Sequence, residues 1–175
     1  MALRPILSLA TILFEVAHTV KEVCDELKVP NYPKTSGKTG LHIFIPLGAK
    51  YTHEQAKDFA HLLVMEVNKR QPKITSIVRD PAKRPNKIYL DFLQNREGQT
   101  LAAPYSARPT EDASVSMPLH WDEVKKGLKP SDFTIKNALA RVKKEGDLWK
   151  PVLGKGVDIL KVLPRLEKLQ AKDEQ

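Results

Sequence analysis

Cysteine, aromatic residues and long apolar runs are all scarce in this sequence. Cys24 is the single cysteine, which excludes an internal disulfide framework and any cysteine-rich zinc site. A reducing, cytosolic setting fits it best. Aromatic residues make up 6% of the chain, too few for extensive stacking of bases on exposed rings. No apolar run reaches the roughly 18 residues that a membrane helix needs. The longest, Ile6 to Ala17, is interrupted by Glu15. Arg4 precedes that run, but it has neither the basic start nor the small-residue cleavage site of a secretory signal. Internal repeats and low-complexity tracts are also lacking.

What is present is an ordinary globular composition with a cationic bias. The 175 residues are 41% hydrophobic and 29% charged. That is about one domain of chain, able to bury roughly two thirds of its unfolded surface. Lys and Arg number 29 against 21 Asp and Glu, a net charge of +8. Such an excess favours a polyanionic partner, nucleic acid or nucleotide phosphates. A basic protein that is merely soluble has the same charge.

Leu9, Ile12, Leu13, Val16, Val20, Val23 and Leu27 recur at three- and four-residue steps and predict a helix from about Ser8 to Leu27. Val29-Pro30 ends it, because a residue before proline avoids the helical region. Residues 34–40 read as a polar loop with two glycines. Leu41 to Leu47 reads as a strand with Leu41, Ile43 and Ile45 on one face and His42 and Phe44 on the other. Thr52 and Gln55 form a capping-box signature for a helix that ends near Arg70. Ile74 to Val78 and Ile88 to Leu93 read as strands, Arg79 to Lys87 as a basic loop, and Asn95 to Gly98 as a turn. Leu101 to Arg108 returns as an extended segment, and Pro104, Pro109 and Pro118 keep the following stretch from being helical. Ser131 is placed to cap a helix to about Lys144, and a last helix covers about Val157 to Leu169. The fold class is α+β with a C-terminal helical tail.

Gly37-Lys38-Thr39 has the look of a P-loop end. The upstream glycine of that motif is replaced by Tyr32, and the expected order is helix, loop, strand rather than strand, loop, helix. The P-loop is therefore rejected. A more general anion cradle from Ser36, Lys38 and loop amides stays open, beside a plain solvated glycine turn. His42 alternates away from Leu41 and Ile43, so it faces what the loop faces, as an anion contact or as a structural histidine. Asp91 stands inside Ile88-Tyr89-Leu90-Asp91-Phe92-Leu93, where aspartate is rare. A carboxylate buried there needs a partner or a metal. It is either an aspartate at a solvent-facing or edge position or one paired with Arg84, or else a metal ligand or catalytic carboxylate. Arg79, Lys83, Arg84 and Lys87 precede it and Arg108 follows. The cluster reads either as a solvated face or, with cations on both sides of a strand carboxylate, as a site for a phosphate bridged by metal.

Four segments together resemble a known family. They are Lys34-Thr35-Ser36-Gly37-Lys38-Thr39-Gly40-Leu41-His42, Arg84-Pro85, Tyr89-Leu90-Asp91-Phe92-Leu93-Gln94-Asn95 and Thr100-Leu101-Ala102-Ala103-Pro104-Tyr105-Ser106. In order and spacing they are similar to the polymerase domain of bacterial DNA ligase D, of the primase-polymerase (archaeo-eukaryotic primase) superfamily. The likeness runs from about Phe14 to the C-terminus and includes Trp121 and the Ser131-Asp132-Phe133-Thr134 helix start. It implies a mixed or antiparallel sheet with flanking helices. The chain would be a single partial domain, with a core portion at 1–121 and a helical tail at 122–175.

The resemblance also implies nucleotidyl transfer from an NTP or dNTP to DNA ends in non-homologous end joining, with Mn²⁺ or Mg²⁺, beside a ligase and Ku-type proteins. Localisation would be cytoplasmic, at the bacterial nucleoid, with no membrane. Carried over residue by residue, Ser36 and His42 face the triphosphate, and Asp91 is the catalytic, metal-binding aspartate. Arg84, Gln94 and Arg108 lie near the nucleotide and primer end, with Lys38 as a further nucleotide contact. Arg79, Lys83 and Lys87 are the candidate DNA contacts. Two departures stand out. Many relatives place a lysine directly before the second glycine, where this chain has Thr39, with Lys38 one earlier. The family's Asp-x-Asp metal pair, on a strand just before the first helix, has no counterpart: no aspartate precedes Asp25. The family's N-terminal half is also missing. The expectation is an N-terminally truncated polymerase domain, inactive alone. The alternatives are a non-catalytic nucleotide- or DNA-binding module and a non-functional gene fragment.

Overall fold

The computed structural model describes residues 2–4 and 10–172. Helix α1 (Ala10–Glu26) buries Leu13, Val16, Ala17, Val20, Val23 and Cys24, the stripe that the apolar spacing predicts. It stops where Lys28 turns into the left-handed region at φ 58°, just ahead of Val29-Pro30. Helix α2 (His53–Arg70) starts at a complete capping box: Thr52 Oγ1 accepts from the Gln55 amide at 3.2 Å, and Gln55 Oε1 from the Thr52 amide at 3.0 Å. The two helices are tied at one end by Arg70. Its guanidinium donates to both oxygens of Glu26, at 2.7 and 2.9 Å, and its Nε to the fully buried Glu66 at 2.8 Å. Glu66 is tolerable inside only because it is so paired.

These helices cover one mixed sheet. Its strands are β1 (Ala2–Arg4), β2 (Tyr32–Thr35), β3 (Leu41–Phe44), β4 (Thr75–Ser76) and β5 (Ile88–Asp91), in the order β2-β3-β1-β5-β4. All pairings are antiparallel except β4 with β5. Leu41, Ile43, Ile88 and Leu90 join the buried stripes of α1 and α2 in one core. The residues between them, His42, Tyr89 and Asp91, look the other way, as period-two alternation requires.

The tail closes on the same core. The segment 114–119 runs along the outer edge of β2, where the Thr35 amide donates to Met117 O at 2.9 Å and the Leu119 amide to Pro33 O at 3.0 Å. Helix α3 (Ala138–Glu145) lies outside. Helix α4 (Ile159–Lys172) buries Ile159, Val162 and Leu166 in the core and accepts a hydrogen bond from Lys69 at its far end.

The α+β class with mixed sheet and helical tail is as expected, with several local corrections. β1 and β2 were not foreseen, so the 34–40 segment is half strand, and its loop joins two antiparallel strands instead of following a helix. β3 stops at Phe44, ahead of Pro46 and Gly48. The expected strand over Ile74 to Val78 shrinks to two residues, and the one over Ile88 to Leu93 ends at Asp91, where Phe92 turns into a 3₁₀ segment. Leu101 to Arg108, expected to be extended, is broken at Tyr105, where φ is 63°, and pairs only through a bridge between Ala107 and Val115. Ser131 does not cap α3; it sits in the 3₁₀ turn Pro130–Asp132, and α3 begins at Ala138. The start expected at Ser8 lies outside the described residues.

Candidate functional site

The helix-free face of the sheet carries two adjoining clefts. The smaller, about 200 Å³, is lined by Ser36, Lys38, Thr39, Gly40, His42, Thr100, Leu101, Ala102 and Arg108. The larger, about 570 Å³, is lined by Arg79, Pro81, Arg84, Tyr89, Asp91, Leu93, Gln94, Arg96, Gly98, Gln99 and Thr100. Thr100 belongs to both. The Gln94 side-chain amide donates to Thr100 O at 2.9 Å, which ties this dividing wall to the end of β5.

The smaller cleft is built by the β2–β3 hairpin. The Ser36 amide donates to Gly40 O at 2.8 Å, and Ser36 Oγ accepts from the amides of Lys38 and Gly40 at 3.2 and 3.0 Å. The serine hydroxyl thus shapes the loop from within. Two of the amides expected to cradle an anion are already satisfied by it. Gly37 is at φ +71°, and a Cβ there would fall 2.4 Å from Arg108 Cγ. A glycine is needed both for the left-handed backbone and so that the Arg108 side chain can lie against the loop. Arg108 is anchored by its own amide, which donates to Ser114 O at 2.7 Å.

Behind this cleft lies Lys34, fully buried. Its Nζ donates to Ala102 O at 2.9 Å and to Ser116 Oγ, which in turn donates to Thr35 O at 2.8 Å. Among the described residues no carboxylate pairs with it. Burial, and then the positive charge of Arg108, push its ammonium down to about 7. Lys34 joins β2 to the Ala102 wall and the tail segment at once.

In the larger cleft, Asp91 is 5% exposed on β5, an interior strand, which removes the edge-strand alternative. Arg84 is 7% exposed. Its guanidinium sits 4.9 Å from the centre of the Tyr89 ring, and Nη1 donates to Lys87 O at 3.3 Å. Among the described residues the Nε atoms of Arg84 and Arg108 are buried without a hydrogen-bond partner, an arrangement that costs energy unless an acceptor arrives.

The structure therefore brings together eight of the ten predicted site residues. Ser36, Lys38, His42 and Arg108 line one cleft, and Arg79, Arg84, Asp91 and Gln94 the other. Lys83 is exposed on the 3₁₀ turn Pro81–Lys83, and Lys87 points its ammonium at Pro72 O, 2.6 Å away; neither lines a cleft. Arg96, Thr100 and Tyr89 are lining residues that sequence reasoning missed. Arg96 was hidden in a segment that reads only as a turn.

A divalent-metal centre of the expected kind does not fit these residues. Two metal ions acting together need several carboxylates between them. Among the described residues Asp91 is the one carboxylate lining either cleft, with three arginines around it, and no group of three His, Cys, Asp or Glu side chains is placed to hold a metal. A separate apolar cavity of about 70 Å³ lies between α1, α2 and β3. It has no charged lining residue, and burial pushes its Cys24 thiol up to about 12, which leaves little chemistry there. No helix among the described residues is long and apolar enough to cross a membrane.

Comparison with known proteins gives a consistent pattern. The family model for the LigD primase-polymerase domain matches residues 8–149. The bifunctional non-homologous end joining protein LigD of Bacillus subtilis is 36% identical over 133 residues, covering 75% of this chain and 22% of that protein. The multifunctional LigD of Mycolicibacterium smegmatis is 31% identical over 142 residues, covering 81% and 18%. A solved structure, the polymerase domain of Mycobacterium tuberculosis ligase D in complex with DNA, matches with a TM-score of 0.81 at 25% identity, over 89% of this chain and 54% of that one. The chain spans about a fifth of the length of these two curated relatives.

Proposed function

This chain belongs to the LigD primase-polymerase family, and on that premise we propose that its two-cleft face binds a nucleoside triphosphate next to a DNA end, within bacterial non-homologous end joining. The observation that carries the reading is the junction of the clefts at Thr100. It sets the loop cations Lys38 and Arg108, with His42, directly beside Arg84, Arg96 and Asp91.

The triphosphate takes the hairpin side. Lys38 and Arg108 supply charge, His42 supplies a ring nitrogen, and Ser36 holds the loop in shape. Charge-assisted contacts of this kind are about twice as strong as neutral ones. Sugar and base extend across Thr100 toward Gln94 and Tyr89. The DNA end approaches over Arg79, which lines the larger cleft, with Lys83 exposed nearby for a phosphate. Lys87 braces the basic loop through Pro72 and contributes less. A ligase and Ku-type proteins are the partners that this role requires, in the cytoplasm at the nucleoid.

We assign binding and not transfer to these residues. Mn²⁺ or Mg²⁺ would supply the displacement chemistry in a carboxylate-lined site, and the donor set here does not match one. The chain by itself is a nucleotide- and DNA-end-binding module, and end extension is expected to be absent.

Isothermal titration of ATP into the wild-type chain and into a Ser36→Ala, His42→Ala variant tests the reading. The variant should lose roughly ten- to hundredfold in affinity, with an unchanged circular-dichroism spectrum. Equal affinities would remove the loop from the site. Primer extension with Mn²⁺ and NTPs on a tailed duplex should show no product; robust extension abolished by Asp91→Ala would overturn the assignment of binding alone.

A further inference from the structure

The register of the sheet aligns four residues in one row. Lys34 of β2 lies opposite His42 of β3, His42 opposite Ala2 of β1, and Ala2 opposite Asp91 of β5. Two positions on, Arg4 lies opposite Tyr89. The strand between the hairpin and Asp91 is Ala2–Arg4, and its sequence Ala-Leu-Arg contains no carboxylate. Alanine offers no ligand atom, and a guanidinium is donor-only and permanently charged. β1 thus offers no carboxylate at the register position opposite Asp91.

The surroundings favour an anion. Arg79, Arg84 and Arg96 line the cleft of Asp91, and Lys38 and Arg108 line the neighbouring one. Two guanidinium Nε–H groups, of Arg84 and Arg108, are buried with no acceptor among the described residues. A nucleoside triphosphate carries about four negative charges at neutral pH, since a terminal phosphate ionises near pH 6. A divalent ion usually neutralises half of that charge. Among the described residues, fixed cations outnumber the carboxylate five to one in the charged lining of the two clefts, so a second source of positive charge is repelled rather than required.

Resting on the nucleotide reading above, we propose that this site takes the metal-free nucleoside triphosphate. The guanidinium groups of Arg84 and Arg108, with Lys38, Arg79 and Arg96, do the neutralising that a divalent ion does in a carboxylate-lined site. The absence of a carboxylate on β1 is the cause.

The test is ATP titration by calorimetry at matched ionic strength, once in excess EDTA and once in excess Mg²⁺. The affinity in EDTA should equal or exceed that in Mg²⁺. Binding at least tenfold tighter with Mg²⁺, or seen only with it, would overturn the proposal while leaving the nucleotide reading intact. No binding in either buffer would overturn both. An Ala2→Asp variant separates cause from coincidence. With a carboxylate opposite Asp91, its affinity in EDTA should fall about tenfold and Mg²⁺ should restore it. An Ala2→Asp chain that folds and still ignores Mg²⁺ would refute the role given to β1.

Discussion

Neighbouring residues on the same strands do opposite work in this molecule. Leu41, Ile43, Ile88 and Leu90 face α1 and α2 and are sealed in the core, whereas His42, Tyr89 and Asp91, one step away, face the clefts. The helix side is held by apolar area, which is non-directional and sums over many contacts. The cleft side is held by individual polar partners far apart in sequence: Lys34 reaches Ala102 and Ser116, and Gln94 reaches Thr100. Stability and ligand chemistry are thus separable by a single step along a strand.

Leu90→Ala against Asp91→Asn should break the comparison open most visibly. Leu90 is fully buried, so its truncation should cost about 3 kcal/mol through lost burial and a cavity. Urea unfolding would read this as a lower midpoint at unchanged slope. Asp91→Asn keeps shape and volume and should cost less than about 1 kcal/mol, within the range of near-isosteric changes. Equal losses would show that the two faces are not separable.

A smaller, pH-dependent effect is expected at Lys34. The unfolded lysine keeps its proton to about 10.5 and the folded one releases it near 7. Between those values the unfolded state binds more protons, so stability rises with pH; below about 7 both states are protonated and the rise stops. From pH 7 to pH 9 the gain should be on the order of 2 kcal/mol. Lys34→Met should remove the slope. Melting temperatures across that range check it, and a wild-type chain without the rise would place a counter-charge near Lys34.

Gly37→Ala should cost less stability than Leu90→Ala and have a clear effect on binding. A left-handed alanine costs about 1–2 kcal/mol, and its Cβ would displace the Arg108 side chain. ATP affinity should drop roughly tenfold, in line with a lost charge-assisted contact. Retained affinity would show that Arg108 does not need its seat on the loop.

Helices and the outline of the site were legible because their signals are local. The apolar spacing of α1, the Thr52–Gln55 box and an aspartate inside a β-branched segment are each complete within a few residues. β1 was not legible: three residues, Ala-Leu-Arg, carry no strand preference and are set in the sheet by neighbours at 41–42 and 89–91. β2 was masked by Pro33 and Lys34, which argue against a strand; the proline is tolerated at the sheet edge, and the lysine because its acceptors come from distant segments. Arg96 escaped notice because only the 3₁₀ turn after β5 brings it to the cleft.

The central claim is that the triphosphate sits on the cleft face across the Thr100 wall and leaves the helix side untouched. Amide chemical-shift mapping of the 175-residue chain with ATP in EDTA tests this directly. The largest shifts should fall on residues 36–42, 94–102 and 108, while Val20, Val23, Phe59 and Leu63 around the apolar cavity keep their positions. Shifts centred on those four residues, with the hairpin loop unmoved, would contradict the account.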